Sequence, residues 1–532
     1  MGNSTPTKSS TLRVAQAAGL IVIITAFSKL YGFIREAVFA SQFGATMQAD
    51  AFLVALVIPA MMFATIGAAL ATTFIPVFGS RLVHSGEESA NRFANNVVNT
   101  TMIIVAVFLV LTFLFIRPIV QVVAPGLSGE AADLTIRLAR IMLLAMPFMA
   151  LSAWATGFLQ ARQHFFLPAA IGFPFSTIYI IFTFLASGSG NMALLALGVV
   201  LAYGSQFLLQ APMLFRYRYR YRPWLNVKDE DLRQMALLIL PILISTGAAQ
   251  LNIVVDRMLA SGLETGSIAA LNYAQKLYGL PTGLLILPIV TALYPSFVQF
   301  TASDEMPRFL RGVRQGINVI NLALMPILVG IVVLSEDMVR LAFERGAFDE
   351  RATQLTSYAL VFYILGLAAH GWRELLNRAF FALQDTKTPM WSGVATMGSN
   401  IVLNLLLVGP LGVGGLALAT SIGMGIGTVV LVVILRRRAG AIGGRSILLS
   451  LVKTGSASLI MGAVVWWLRG VLPGAGDSAL MQAVNLAILI GSGALVYGAM
   501  VLLFRVEELQ LGKMMLEKVM GRVPGLRRVA GR

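Results

Sequence analysis

The sequence contains no cysteine, only three histidines and few charged residues. Among 532 residues, 12% are Asp, Glu, Lys or Arg, against about 25% in soluble domains. The missing cysteine excludes disulfides, thiolate metal sites, iron–sulfur clusters and cysteine nucleophiles. The histidines (His84, His164 and His370) lie far apart along the chain, which argues against a histidine-based metal cluster. An ordinary soluble enzyme is therefore excluded.

Long apolar runs take the place of the missing charge. Hydrophobic residues make up 57% of the chain, and the mean hydropathy is +0.81. One membrane span needs roughly 20 apolar residues. The runs between charged and Gly/Pro-rich stretches predict an all-α polytopic membrane protein with 14 transmembrane helices. We place these near residues 14–34, 49–79, 94–116, 132–160, 166–187, 191–215, 234–261, 267–299, 316–335, 352–383, 388–409, 412–435, 446–468 and 478–504.

Positive charge dominates the loops on one side of this predicted bundle. The chain has 40 Lys and Arg against 24 Asp and Glu, a formal charge of +16. With an even number of spans, 28 Lys and Arg fall on the side of both termini and five in the opposite loops. The positive-inside rule then predicts a membrane protein with both termini in the cytoplasm. No basic domain stands apart, so we expect no nucleic-acid partner, and the Arg–Tyr alternation at 216–222 indicates an interfacial anchor for the phosphates of membrane lipids.

Two short motifs recur in the same order. Phe74–Phe78 is echoed by Leu293–Phe297, and Phe158–Gln160 is echoed by Ala382–Gln384. The offset along the chain is nearly the same for both motifs, although short Pro and Gln motifs also recur by chance. The repeat predicts two parallel six-helix lobes around a central cavity plus two C-terminal helices, an arrangement typical of alternating-access transporters. The predicted organisation is a disordered cytoplasmic tail (1–12), an N-lobe (13–215), a basic cytoplasmic loop (216–233), a C-lobe (234–436), helices 13 and 14 (437–505) and a cytoplasmic basic tail (506–532).

Several charges interrupt the apolar runs. A charge in mid-membrane costs at least about 2.5–3.5 kcal/mol, so such residues face a cavity or a partner unless they reach an interface. Arg35 and Glu36 are neighbours that point in different directions on a helix, as are Asp256 and Arg257, so we expect neither pair to neutralise itself. The positive excess favours a phosphate or carboxylate substrate, whereas a cationic drug would need an acidic cavity. The candidate substrate-binding residues are Lys29, Arg35, Glu36, Asp50, Arg257 and Lys276.

A set of oxygen-bearing side chains could hold a hard cation. Asn400 and Asn404 share one face of their predicted helix, and Thr420 lies on the next helix. With Asp256 they offer oxygen ligands for Na⁺. The alternative is hydrogen bonding between helices, which is common in membrane bundles. We identify no catalytic constellation and no other cofactor site, so the sequence predicts a transporter rather than an enzyme.

Four stretches of the chain match the motifs of a known family. They are Phe27–Glu36 with Phe43-Gly44 and Asp50-Ala-Phe52, Tyr273–Leu277 with Pro281, Phe343–Phe348, and Phe380–Pro389. On these residues the chain resembles the MurJ/MviN family, lipid II flippases of the multidrug/oligosaccharidyl-lipid/polysaccharide (MOP) superfamily. The resemblance extends from about residue 13 to residue 505.

The resemblance implies a function that composition and spacing do not. Members of that family move undecaprenyl-pyrophosphate-linked disaccharide-pentapeptide, the peptidoglycan precursor lipid II, from the inner to the outer leaflet, which makes cell-wall synthesis proteins expected partners. Met61, Met62, Phe63 and Ala64 stand where other members carry arginines. Alternatives are an exporter of another polyprenyl-linked oligosaccharide or a drug, a scaffold, or a membrane-embedded glycosyltransferase, for which the loops are short. The family's basic cavity positions map onto Lys29, Arg35 and Lys276, its acidic ones onto Glu36 and Asp50, and its cation site onto Asp256, Asn400, Asn404 and Thr420.

Overall fold

The computed structural model describes residues 8–472 and 478–506, and within those ranges the chain is helical, without β-strands. The predicted all-α fold is therefore confirmed. Residues 1–7 and 507–532, which make up most of the two predicted tails, lie outside the described residues. The first helix begins at Lys8, inside the stretch 1–12 that the sequence predicts to be disordered.

Contacts between residues divide the chain into two compact units. The first consists of the residues up to Ala269 together with Arg345–Phe348. Its helices are α1 (Lys8–Phe43), α2 (Met47–Ala69), α3 (Ile75–Leu114), α4 (Ile116–Val123), α5 (Gly129–Leu143), α6 (Met146–Ala161), α7 (Phe166–Ala170), α8 (Gly172–Ser189), α9 (Met192–Arg216) and α10 (Glu230–Ser261). The helix α3 is interrupted at Gly86, whose φ of 78° lies in the left-handed region that glycine adopts without strain.

The second unit consists of Ala270–Glu344 and the residues from Asp349 onward. The first three residues of its first helix, α11 (Ser267–Pro281), belong to the first unit. The helices are α11 (Ser267–Pro281), α12 (Leu287–Ala302), α13 (Met306–Phe343), α14 (Glu350–Ile364), α15 (Leu367–Ala382), α16 (Lys387–Leu411), α17 (Val413–Ala439), α18 (Gly444–Val471) and α19 (Ala479–Leu503).

Many of these helices are long and apolar enough to cross a membrane. In the described ranges nine helices meet that condition, or eleven if the bent pairs α5–α6 and α14–α15 each form one span. Each of the fourteen predicted segments falls on one or more of the helices. The chain is a multi-pass membrane protein, and the count of fourteen spans stays a prediction.

Helix starts repeat at one constant offset between the two units. The bend between α5 and α6 is 41°, and that between the corresponding helices α14 and α15 is 45°. Gln163 and Gln384 have the same offset, follow the second helix of each pair and adopt left-handed φ values of 62° and 57°. The predicted repeat is thus present, but its register pairs Gln384 with Gln163 rather than with Gln160. The helix starts that share this offset are Gly129 and Glu350 (α5 and α14), Met146 and Leu367 (α6 and α15), Phe166 and Lys387 (α7 and α16), and Met192 and Val413 (α9 and α17).

Two π-helical turns interrupt the helices. Leu70–Phe74 joins α2 to α3, and Thr282–Ile286 joins α11 to α12. A proline lies in the first turn of the helix that follows each of them, Pro76 in α3 and Pro288 in α12. Because proline has no N–H, the preceding turn loses an i→i−4 hydrogen bond and can widen. A break in the helix therefore lies at the start of the repeated segment Phe74–Phe78 and before the repeated segment Leu293–Phe297.

An aromatic cluster forms part of the core of the first unit. The Phe74 ring lies 5.2 Å from Phe78 and 6.0 Å from Phe93, and Phe78 lies 5.0 Å from Phe158, all between centroids. These rings are fully buried, and they come from α3, α6 and the π-helical turn before α3. Packing thus accounts for the phenylalanines of the first repeated motif.

Candidate functional site

Arg35 and Glu36, two of the predicted substrate-binding residues, form an ion pair on α1. Arg35 Nη2 donates to Glu36 Oε1 at 2.6 Å, and the side chains are 18% and 8% exposed. The prediction that these neighbours do not neutralise each other was wrong. Adjacent side chains leave a helix in different directions, but the long Arg35 side chain bends far enough for its guanidinium to reach the carboxylate.

Two aromatic rings of α8 hold the Arg35 guanidinium. Its Cζ lies 5.1 Å from the ring centroid of Phe175 and 5.0 Å from that of Tyr179, within cation–π distance. Arg35 Nε is buried and has no hydrogen-bond partner in the part of the chain that the structure describes. The guanidinium is thus fixed in place with donor capacity to spare, which suits a phosphate ligand. Neither ring was predicted, because aromatic residues in an apolar helix carry no signal beyond core packing.

Asp50 holds the start of α11. Its Oδ2 accepts a hydrogen bond from Gly266 N at 2.6 Å and its Oδ1 one from Ala269 N at 2.8 Å, and the residue is 4% exposed. The first N–H groups of a helix have no partner within the helix, and they carry the positive end of its dipole. Asp50 therefore caps a helix from a distant part of the chain, and both of its oxygens are engaged in doing so.

The other predicted positive residues divide between the units. Lys29 is exposed on α1, and Arg257 on α10 donates from Nη1 to Ile268 O at 3.2 Å, both in the first unit. Lys276 is half-buried on α11 in the second unit. A direct hydrogen bond joins two of the six candidates, Arg35 and Glu36.

The three second-unit residues predicted to bind Na⁺ form a hydrogen-bonded chain. Asn400 Nδ2 donates to Thr420 Oγ1 at 3.1 Å, and Asn404 Nδ2 donates to Asn400 Oδ1 at 3.0 Å. Asp256 belongs to the first unit. Among the described residues, no group of three or more His, Asp and Glu is placed to hold a metal ion. The geometry fits the hydrogen-bonding alternative, since the amide and hydroxyl groups already form hydrogen bonds with one another. The Na⁺ site stays a prediction.

Comparison with known proteins assigns the chain to a family. The family model described as "Lipid II flippase MurJ" matches residues 39–484. The chain belongs to the MurJ family. A curated member from Rhizobium tropici, "Probable lipid II flippase MurJ", is 30% identical over 499 residues, covering 88% of this chain and 90% of that relative. A member from Vibrio cholerae with the same description is 26% identical and covers 93% and 97%.

A solved structure of a lipid II flippase and one of a multidrug transporter share the fold. "Lipid II flippase MurJ, inward closed conformation" matches with a TM-score of 0.77 and 25% identity, covering 91% of this chain and 99% of that one. An inward-facing multidrug resistance MATE family transporter of the MOP superfamily matches with a TM-score of 0.68 at 16% identity, over 80% and 99%. The resemblance deduced from the sequence motifs is therefore confirmed.

Two of the MurJ-like motifs meet in the first unit. Ala347 N donates to Ser41 O at 2.8 Å. Gly346 and Gly44 have left-handed φ values of 62° and 58°, and a Cβ on either would overlap the backbone of the other segment, at Ser41 O or Ala347 O. Only glycine permits so close an approach of two backbones at these φ values.

The MurJ-like motif Phe380–Pro389 begins a helix. Asp385 accepts hydrogen bonds from Thr388 N at 2.9 Å and from Thr388 Oγ1 at 2.6 Å, at the start of α16, and it pairs with Arg438 at the end of α17. Burial acts to raise the pKa of Asp385, but the Thr388 bonds and Arg438 more than offset it, so the pKa lies below its ordinary value. This motif therefore has a structural explanation in helix capping.

Proposed function

We propose that this protein moves lipid II from the inner to the outer leaflet of the bacterial cytoplasmic membrane by alternating access, for cell-wall synthesis. It is a transporter and not an enzyme in this proposal. The family match over residues 39–484 and the similarity to curated flippases over most of both chains support it. The other partners, cell-wall synthesis proteins, and the cytoplasmic position of both termini belong to the same proposal.

The observation that carries the proposal is the setting of Arg35. An arginine in a membrane helix is costly unless it has a function or a partner, and this one retains an unused, buried Nε beside its carboxylate and two rings. A pyrophosphate would accept hydrogen bonds from the guanidinium N–H groups that Glu36 does not use. We assign the first contact with the pyrophosphate to Arg35 and supporting charge to Lys29, Arg257 and Lys276.

The roles of the acidic residues differ in this proposal. Glu36 orients Arg35, because it bonds the guanidinium directly. Asp50 acts by fixing the start of α11 rather than by meeting an anion. A Na⁺ ion held by Asp256, Asn400, Asn404 and Thr420 is a further hypothesis. The membrane potential offers another driving force, about 2.3 kcal/mol per charge per 100 mV.

Complementation tests the proposal. Bacteria depleted of their lipid II flippase would express the wild type, Arg35→Ala, Arg35→Lys or Arg117→Ala, and outer-leaflet lipid II would be measured. Arg117→Ala is the control, because Arg117 lies in an exposed ion pair with Asp133 at 3.8 Å, 71% and 74% exposed. We expect rescue by the wild type and by Arg117→Ala, at least tenfold less lipid II translocation with Arg35→Ala, and partial activity with Arg35→Lys.

The experiment distinguishes a wrong substrate from a wrong substrate-contact residue. Lack of rescue by a well-inserted wild type would reject lipid II as the substrate and favour another polyprenyl-linked glycan. Full activity of Arg35→Ala, with the wild type active, would instead reject Arg35 as a substrate contact. Thermal denaturation of each purified variant in detergent shows whether lost activity reflects lost structure.

A further inference from the structure

An asparagine of α3 fixes a segment between α9 and α10 by hydrogen bonds. Asn95 Nδ2 donates to Arg220 O at 3.2 Å, and Asn95 Oδ1 accepts from Arg222 N at 3.1 Å and from the Tyr219 hydroxyl at 2.5 Å. The amide thus bonds the backbone of the segment as a neighbouring β-strand would.

Two more asparagines of α3 extend this arrangement. Asn96 and the backbone of Asn226 exchange two hydrogen bonds of 2.8 Å. Asn99 Nδ2 donates to Arg222 O at 3.2 Å and to Trp224 O at 2.9 Å. Residues 219–226 are therefore a fixed part of the first unit, and their side chains have defined positions.

A cationic cavity of about 550 Å³ adjoins this segment. Glu87 and Glu88, its two acidic residues, pair with Arg162 at 2.6 Å and with Arg92 at 2.8 Å. The other four arginines form no ion pair with a carboxylate among residues 8–472 and 478–506, and Asn91 Oδ1 at the cavity is buried without a hydrogen-bond partner there. The arginines that line the cavity are Arg92, Arg162, Arg216, Arg218, Arg220 and Arg222.

An apolar groove of about 780 Å³ adjoins the same segment. Apolar side chains of α3, α6 and α9 line it, among them Met102, Leu151 and Phe207. Tyr219 and Tyr221 belong to the groove, whereas Arg218, Arg220 and Arg222 belong to the cavity. From residue 218 to residue 222, arginines line the cavity and tyrosines line the groove, so the Arg–Tyr alternation places a cationic site and an apolar one beside a single segment.

We propose that the cavity and the groove together bind an anionic phospholipid, with its phosphate among the arginines and an acyl chain in the groove. The four arginines without carboxylate partners leave positive charge with which an anion can pair, and Arg forms bidentate bonds with phosphate. The adjoining apolar groove distinguishes an amphiphile from a nucleotide or nucleic acid. A cavity of about 550 Å³ suits a glycerophosphate headgroup and is small for two sugars and five amino acids. This lipid site is distinct from Arg35.

Lipid binding to the purified full-length protein tests the proposal. The probes are fluorescent dioleoyl phosphatidylglycerol and dioleoyl phosphatidylcholine in detergent micelles, with glycerol phosphate, unlabelled phosphatidylglycerol and undecaprenyl pyrophosphate as competitors. Arg220→Gln/Arg222→Gln removes two cavity charges while leaving the backbone bonds to Asn95 and Asn99 in place. Arg436→Gln/Arg437→Gln is the matched control, because it removes two exposed charges at the repeat-equivalent helix end. Ala106→Trp fills the groove without changing charge.

We expect phosphatidylglycerol to bind at least tenfold more tightly than phosphatidylcholine. The cavity variant should weaken phosphatidylglycerol binding about 30-fold, the control variant less than twofold, and Ala106→Trp at least fivefold, with unchanged thermal midpoints. If the cavity and control variants lose affinity for phosphatidylglycerol equally, the binding reflects general charge attraction, and the proposal is overturned. Effective competition by glycerol phosphate with no effect of Ala106→Trp would identify a soluble-phosphate site instead. Stronger competition by undecaprenyl pyrophosphate than by phosphatidylglycerol would reassign the site to the transported lipid.

Discussion

Gly346 shows how a single residue limits the approach of two backbones. Its φ of 62° and its closeness to Ser41 O leave no room for a Cβ. We expect Gly346→Ala to destabilise the protein by about 2–4 kcal/mol, from left-handed strain and overpacking together. The measurement is the thermal denaturation midpoint of the purified protein in detergent.

Gly398→Ala is the control for this prediction. Gly398 lies inside α16, and a Cβ there would meet nothing within 4 Å. Its replacement should raise stability slightly, by about 0.5–1 kcal/mol, because alanine favours the helix. If both variants shift the midpoint alike, the close approach at Gly346 is not what limits the side chain.

Asp385 predicts a dependence of stability on pH. Its pKa is lowered in the folded protein, so its contribution is present above the unfolded value of about 3.9 and is lost as the pH falls through the folded pKa. We expect Asp385→Asn to be less stable than the wild type by about 1 kcal/mol at pH 7. The gap in thermal midpoint between the two proteins should stay constant from pH 7 to about pH 4 and narrow as the pH falls further. A gap that does not change with pH would exclude the carboxylate as its source.

Residue roles were predictable from the sequence only where charge itself was the signal. Arg35 stands out in an apolar run, and the structure places it in a setting suited to an anion. The role of Asp50 was not predictable, because the amides that it caps lie more than 200 residues away in the sequence. The role of the asparagines of α3 was also not predicted. Their spacing could have indicated a polar stripe on one helix, since consecutive turns carry Asn91, Asn95, Asn96 and Asn99.

The segment 219–226 can be tested by removing one of the asparagines that hold it. Asn95→Ala removes three hydrogen bonds, each worth about 1 kcal/mol. Local opening should become roughly 100-fold more frequent, and trypsin should cleave after Arg220 correspondingly faster. The measurement is the rate at which trypsin divides the protein in detergent under limiting protease.

Asn91→Ala provides the comparison for the segment. Asn91 lies one turn earlier on α3, and no hydrogen bond from its side chain is present in the described structure. Cleavage of that variant should remain within about threefold of the wild-type rate. Unchanged cleavage of Asn95→Ala would mean that the asparagine does not hold the segment.

Helices were the most predictable elements. Each predicted apolar run falls on one or more helices of the described residues, because length and hydropathy suffice to locate an apolar helix. The π-helical turns Leu70–Phe74 and Thr282–Ile286 were not predictable, since the prolines after them are equally compatible with an ordinary helix start. The predicted repeat register was also wrong by three residues. Residue identity pairs Gln384 with Gln160, whereas the ends of the corresponding helices pair it with Gln163.

Orientation is a property of the whole molecule. The excess of Lys and Arg, 28 against five, predicts that the loop at Ser303 faces the cytoplasm and the loop at Ser128 faces outward. Because the chain has no cysteine, Ser303→Cys and Ser128→Cys each introduce one unique thiol outside the membrane-spanning helices. In sealed right-side-out vesicles, a membrane-impermeant maleimide should label only Ser128→Cys.

Inside-out vesicles supply the reciprocal measurement. There Ser303→Cys should be labelled and Ser128→Cys protected, with equal labelling of both after detergent is added. The reverse pattern would invert the topology and place the arginine-lined cavity at the outer leaflet. Anionic phospholipid would then have to be supplied from that leaflet.

The constant offset between corresponding helix starts also records how the molecule arose. Four pairs of helix starts keep it, from Gly129 and Glu350 through Met192 and Val413. A duplicated and fused ancestral gene explains the match, and no net insertion or deletion separates the two copies across that stretch. The side chains have diverged while the spacing of the helices was retained. In the first copy α8 carries the aromatic neighbours of Arg35, and in the second copy α16 carries the hydrogen-bonded Asn400 and Asn404.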